Sequence, residues 1–322
     1  MKAQMKILIG YDGSDCANAA LDDLRLAGLP QEVEAQVLAV AERWLPPPPP
    51  SAAEIIEKAE DVQVPADLLH VYTKDSEEAK KSLRLAEFAC DRIKSLFPTW
   101  TITPHASCGS ASAELIYQAD QWQPDLIVVG SHGRTALGRF VLGSVSQRVL
   151  TEAKCSVRIA RGRVEEADTP VRIIVGVDGS DASNLSLKAV ASRHWPKGSE
   201  ITLVAVDDPL FPDYYGKLLP PLQQIIEEDK QQELVWAAKI AKGAARYFEK
   251  TDLKVTSVLR EGDPKQELPK AAEEWRADCI FVGSVGFNSR FERFVLGSVS
   301  AAVAARAHCS VEVVRDKRRN AK

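Results

Sequence analysis

The stretch Asp125-Leu126-Ile127-Val128-Val129-Gly130-Ser131-His132-Gly133 decides how this chain folds, and nine residues further on Gly143-Ser144 completes it. The apolar run 125–129 is too short for a buried helix and reads as a strand covered on both faces. Gly130 and Gly133 bracket a loop whose backbone can come close to a ligand. After Gly143-Ser144 the residues 145–154 read as a helix. A strand, a glycine loop and a helix start in succession form an anion cradle, because free N–H groups and the positive end of the helix dipole point outward there.

The arrangement occurs twice. Cys279-Ile280-Phe281-Val282 leads into Gly283-Ser284-Val285-Gly286 and, after ten residues, Gly297-Ser298. The octapeptide RFVLGSVS at 139–146 recurs letter for letter at 293–300. Upstream, Ile9-Gly10-Tyr11-Asp12-Gly13-Ser14-Asp15 is matched by Val175-Gly176-Val177-Asp178-Gly179-Ser180-Asp181. A chain of 322 residues therefore holds two copies of one unit, each large enough for its own core.

Reading outward from the two cradles, each half alternates strand and helix. Strands are expected at 5–11, 33–40, 100–107, 125–129 and 156–160, then at 171–177, 200–206, 253–259, 279–282 and 311–314. Helices are expected at 15–27, 76–96, 110–122 and 144–153, then from 181 to about 193, at 222–248, after Pro264, and after Ser298. This β-α-β order predicts an α/β fold: two repeated, open, parallel five-stranded sheets with helices on both faces. Ligands of such sheets bind beyond the C-terminal strand ends at a topological switch point, where Asp12, Gly109, Gly130, Asp178, Gly262 and Gly283 gather. The polar segment GRVEEADTP at 162–170 reads as a linker. The expected units are 1–162, a linker at 163–170, 171–316, and a basic tail at 317–322. Five prolines, Pro46 to Pro50, form a stiff polyproline excursion after the second strand.

Composition narrows the class. Apolar residues make up 45% and charged residues 27%, with a net charge of −4, which argues against a general nucleic-acid or acidic-membrane binder. No apolar run approaches the roughly 18 residues of a spanning helix, and no signal-peptide pattern is seen at the start, so no membrane partner and a cytoplasmic location are expected. The six cysteines, Cys16, Cys90, Cys108, Cys155, Cys279 and Cys309, show no CxxC pairing, which predicts reduced, mostly buried thiols and no metal site.

With these motifs quoted, the chain resembles a tandem universal stress protein over nearly its whole length. The signature carrying the resemblance is G-x2-G-x9-G-[ST] after strand four, together with the strand-one Asp in a DGS turn. The fold implied is adenine nucleotide alpha hydrolase-like, or Rossmann-like. Members with this signature bind ATP, and Mg2+ would accompany it. The resemblance implies that Asp12 and Asp178 face the ribose and adenine side. It gives the backbone of Val40 and Val206 the adenine contact, and Gly130, Gly133, Gly143 and Ser144, then Gly283, Gly286, Gly297 and Ser298, the phosphates. It further implies pairing of the two halves through their fifth strands as an intramolecular pseudo-dimer, or a homodimer of chains. The second half departs from the signature by one residue of spacing, and Phe287 stands where it can fill the phosphate space.

The residues also admit plainer readings. A strand-terminal Asp-Gly-Ser is often turn and cap chemistry alone. Gly143 and Gly297 could serve helix–sheet packing. Ser131 beside His132 suggests a nucleophile and base, yet Val285 replaces the histidine in the second copy and no third orienting group is evident. Arg134, Arg139, Arg290 and Arg293 fit phosphate neutralisation and solvated loop cations equally. Trp122, Trp195, Trp236 and Trp275 read as packing residues. No Walker A lysine and no GxGxxG follow the first strand, and no SGGxDS-like loop is present. The expected function is thus nucleotide-dependent regulation of a stress response without dedicated catalysis, slow ATP hydrolysis being allowed. The alternative is a nucleotide-free interaction scaffold.

Overall fold

The computed structural model describes residues 4–42, 77–133, 142–161, 169–207, 239–240, 242–285 and 296–316. The first half runs β1 (Met5–Gly10), α1 (Asp15–Asp23) with a 3-10 turn (Leu24–Ala27), β2 (Val33–Glu42), α2 (Glu77–Leu96), β3 (Thr101–Gly109), α3 (Ala111–Trp122), β4 (Leu126–Gly130), α4 (Ser144–Glu152) and β5 (Ser156–Ala160). The second runs β6 (Arg172–Gly176), α5 (Asp181–Ala191), β7 (Glu200–Asp207), a 3-10 turn (Arg246–Phe248), β8 (Lys254–Glu261), α6 (Pro264–Trp275), β9 (Cys279–Gly283), α7 (Ser298–Arg306) and β10 (Ser310–Val314).

All ten strands belong to one sheet, in the order β3-β2-β1-β4-β5-β10-β9-β6-β7-β8. Within each half every neighbour pair is parallel. The expected pair of five-stranded parallel sheets is therefore present, and the two are continuous, because β5 and β10 pair antiparallel in the register Ile159↔Val311, Arg158↔Glu312 and Val157↔Val313. In both halves the strand order reverses beside the first strand, between β1 and β4 and between β6 and β9.

Helices cover both faces. One face carries a single apolar core that crosses the junction: Ile127, Val149, Val157 and Ile159 from the first half meet Ile280, Val303, Val311 and Val313 from the second. The opposite face is divided. Beneath α1 and α2 lies a core of Ile7, Leu21, Ile93 and Trp100, and beneath α5 a separate core of Ile173, Leu187, Val190 and Phe281. Leu26 from the first half enters the latter core.

Between those two cores runs a buried ionic seam. Arg158, fully buried, donates from Nε to Asp23 Oδ2 at 2.6 Å, and its Nη1 stands 3.6 Å from Glu312 Oε2. Arg193 closes the seam on Glu312 and donates to the Ala27 carbonyl at 2.6 Å. Ser310 Oγ donates to Asp23 Oδ1 at 2.6 Å. Burial alone would lower the Arg158 pKa, but the adjacent Asp23 and Glu312 carboxylates outweigh it and hold the guanidinium charged.

Two further arginines repeat one device in mirror image. Arg161, just past β5, donates to the carbonyls of Ala304 (2.6 Å) and Cys309 (3.4 Å) in the second half. Arg315, just past β10, donates to the carbonyls of Leu150 and Cys155 in the first. Each guanidinium thus meets one last-turn carbonyl of the other half's final helix, where a cation is favoured, and the carbonyl of a cysteine just beyond it.

The element order matches the sequence reading, with small shifts of boundary. The helix expected at 15–27 is α-helical only to Asp23 and then tightens into the 3-10 turn, and β2 runs on to Glu42. Pro46 to Pro50, Trp236 and most of the helix expected at 222–248 lie outside the described residues. All six cysteines are free thiols, four of them buried, and burial pushes the Cys309 thiol up to about 12. Trp122 and Trp275 pack against the shared core and Trp195 against Phe281. No helix among the described residues is long and apolar enough to cross a membrane.

Gly28 ends the 3-10 turn in the left-handed region at φ +60, and a methyl group there would come within 2.8 Å of the Trp195 ring. Its carbonyl accepts from the His194 amide at 2.9 Å, so the position joins the halves. Gly28→Ala combines left-handed strain with this collision and is expected to cost at least about 2 kcal/mol. Urea unfolding should show it, and an unchanged midpoint would mean that Trp195 does not pack over this turn.

Candidate functional site

Each cradle is built where strands one and four end side by side. In the first half Asp12 follows β1, and its Oδ1 accepts from the Ser14 amide at 2.9 Å, closing the turn into α1. Ser14 then caps α1 by accepting from the Ala17 amide at 3.1 Å. The second half repeats this, with Ser180 N donating to Asp178 Oδ1 at 3.0 Å and Ser183 N to Ser180 Oγ at 3.1 Å. The plain reading of Asp-Gly-Ser as turn and cap chemistry therefore holds. It leaves Asp12 Oδ2 directed toward the loop, since a methyl group on Gly133 would lie 3.2 Å from it.

The glycines divide by role. Gly130 and Gly283 sit under the first turns of α1 and α5: added methyl groups would meet Cys16 O at 3.0 Å and the Ala182 carbonyl carbon at 2.6 Å. Close approach of helix backbone to strand end gives both positions a packing reason to be glycine. Gly143 and Gly297 are the N-caps of α4 and α7, and neither helix start has a side-chain cap. Their amides donate to Ser131 O (2.8 Å) and to Ser284 O (2.6 Å), folding each loop back over its strand end. Beyond them, Ser144 and Ser298 are exposed at the first helical residue, with no acidic residue in either first turn. The result is two uncapped helix N-termini with free amides at the mouths of the clefts.

In the second half the cleft is a cavity of about 710 Å³. Its polar wall is Asp178, Ser180, Gly283, Gly297 and Ser298; its apolar wall is Val204, Val206, Leu268, Val285, Leu296 and Val299. Of the residues singled out from the sequence, Asp178, Val206, Gly283, Gly297 and Ser298 are brought together around this one space, and Gly286 lies outside the described residues. In the first half Asp12, Gly133 and Gly143 converge on the loop and Val40 packs partly buried at the end of β2. Arg134, Arg139, Arg290, Arg293 and Phe287 lie outside the described residues.

Three contributors went unrecognised in the sequence. Ser146 donates to the Gly130 carbonyl at 2.7 Å, and Ser300 to the Gly283 carbonyl at 3.0 Å, pinning each cradle helix to its strand. The two serines end the repeated octapeptide, which was the available signal. Leu268, on the buried face of α6, supplies the apolar floor against Gly176.

Ser131 and His132 do touch, Oγ to Nδ1 at 2.9 Å, but Ser131 is buried. Burial, helped by the Arg161 charge, lowers the His132 pKa and keeps the ring neutral at pH 7. The second half has Ser284 and Val285 at these positions.

The Universal stress protein family matches the chain twice, over residues 5–161 and 171–315. A universal stress protein of Mycolicibacterium smegmatis is 31% identical over 194 residues, 60% of this chain and 62% of that protein. Universal stress protein Rv2005c of Mycobacterium tuberculosis is 27% identical over 321 residues, 98% of each. The crystal structure of a universal stress protein from Archaeoglobus fulgidus superposes with a TM-score of 0.59 at 21% identity, over 96% of this chain and 98% of that one, a likeness of fold alone. With two successive family matches laid over two copies of one fold, the chain belongs to the universal stress protein family as a tandem member.

Proposed function

We propose that this tandem universal stress protein is a cytoplasmic regulatory protein that binds an adenine nucleotide, ATP by resemblance, in one or both clefts. The observation carrying this reading is the second-half cavity. Its volume, about 710 Å³, lies within the range of small-molecule sites. It offers an apolar wall for a base, the Asp178 carboxylate at the strand end, and an uncapped helix start for phosphates. The donor set fits a nucleotide: backbone amides and the Ser144 or Ser298 hydroxyl for phosphate oxygens, and the Val40 or Val206 strand end for the base. Mg2+ would arrive with the phosphates, as their counter-ion. Dedicated catalysis is not part of the proposal, because Ser131 is buried and the second cleft has valine in place of His132. We further propose units at 1–162 and 171–316, joined by 163–170 and followed by a basic tail at 317–322, with the halves acting as an intramolecular pseudo-dimer.

The direct test is to denature purified protein, quantify released nucleotide per chain, and titrate Mg-ATP calorimetrically into emptied protein. Near two per chain is expected if both clefts bind, and near one if a single cleft does. Neither released nucleotide nor heat of binding would hand the function to the scaffold alternative. Gly143→Val and Gly297→Val should each remove binding in their own half, by at least tenfold in affinity, with helix content retained.

A second test separates loss of the site from loss of the fold. A carboxylate at a helix start favours the dipole by about 0.3–1 kcal/mol and repels phosphate. Ser144→Asp and Ser298→Asp should therefore raise the melting temperature of nucleotide-free protein slightly while weakening nucleotide binding. Unchanged affinity in both variants would place the ligand elsewhere.

A further inference from the structure

We propose that the Arg158–Glu312 pair is the selectivity element of the β5–β10 junction: it admits the two halves of one chain to each other and rejects pairing between like halves of different chains. Arg158 and Glu312 each stand twelve residues after the shared octapeptide, so they occupy the same position of the repeat. They are also direct register partners. A position that faces its own equivalent lies on the pseudo-two-fold axis, and in any self-pairing of one half it must meet itself.

The other residues paired along β5 and β10 do not discriminate. Val157 and Ile159 correspond to Val311 and Val313, so self-pairing exchanges one apolar contact for another. Ser156 corresponds to Ser310, and Arg161 to Arg315, with the same carbonyl partners offered from Leu150 and Cys155 or from Ala304 and Cys309. At the axis alone the charge changes sign. First half on first half would set Arg158 against a second Arg158, and second half on second half Glu312 against a second Glu312. The two side chains are 0% and 1% exposed, so neither solvent nor salt would screen the repulsion. Asp23 would still neutralise each Arg158 in the first case. It would not replace the missing carboxylate between two guanidiniums. Like pairing would also lose a contact that the sequence supplies once, the Arg193 bond across to Ala27 O.

The test uses full-length chains. Glu312→Arg puts arginine on both sides of the axis, and Arg158→Glu puts glutamate on both. Each variant is unfolded in urea and refolded alone and as an equal mixture, with tagged and untagged wild type as the reference, and native mass spectrometry reads the products. The mixture is expected to give complexes holding both variants at least tenfold above the mixed complexes of the wild-type reference. Variants that fold only when mixed also fulfil the expectation. Mixed complexes no more abundant than in the reference would overturn the proposal. Should neither variant fold in any combination, Arg158→Met/Glu312→Met decides. Refolded at increasing concentration, this neutral axis should give several-fold more interchain product than wild type, and equal proportions would refute the selectivity role.

Discussion

An open parallel sheet has two edges, and the fifth strand of each half forms one that is apolar on one face and, were the half alone, would be unpaired along its backbone. Val157 and Ile159, like Val311 and Val313, would lie at a raw strand edge if the halves stood apart. Such edges seek a partner strand. Antiparallel pairing of β5 with β10 satisfies both at once and fuses the apolar core of one face across the junction. On the other face the same pairing brings Arg158 and Glu312 together without water, and there the charges must be balanced within the protein. The Asp23–Arg158–Glu312–Arg193 seam alternates in sign and does so.

Pairing also fixes the placement of the clefts. Because β5 and β10 run in opposite senses while each half is internally parallel, the C-terminal strand ends of the two halves lie at opposite ends of the sheet. Each cradle helix starts at its own cleft and runs back toward the end where the other half has its cleft. There α4 meets Arg315 and α7 meets Arg161. One turn of helix thus receives a cation from the neighbouring half at its negative pole, while its positive pole stays uncapped at the cleft. The two ends of the dipole are used for different purposes: one for assembly, the other left open for an anion.

Most of this architecture was legible in the sequence. The strand–glycine loop–helix segment, its exact repetition as RFVLGSVS, and the paired DGS turns fixed the alternation and the clefts through local rules of period and turn chemistry. What was not legible depended on contacts distant in sequence. Gly130 and Gly283 looked like phosphate-approach glycines, and only the packing of Cys16 and Ala182 against them reveals a steric cause. Arg158 and Glu312 fell within the expected strands 156–160 and 311–314, but their pairing was not legible, because register across the junction cannot be read from either strand alone. Leu268 fell unremarked within the helix expected after Pro264, and only its position against Gly176 makes it a wall of the cavity.

The ionic seam is better understood as specificity than as stability. Burying two arginines and two carboxylates carries a desolvation cost that their mutual attraction about offsets, and apolar residues of similar size would hold the junction at least as well. Breaking one member, in contrast, leaves an uncompensated charge and costs about 3–5 kcal/mol. An arrangement with little net gain when complete and a large loss when mismatched is suited to distinguishing partners. In a chain whose two halves present nearly the same edge, the partner to be distinguished is a second copy of the same edge. Duplication supplies both the problem, two interchangeable apolar strands, and the one position at which opposite charges can solve it: the axis itself, where a single substitution in one repeat changes self-recognition into recognition of the other half.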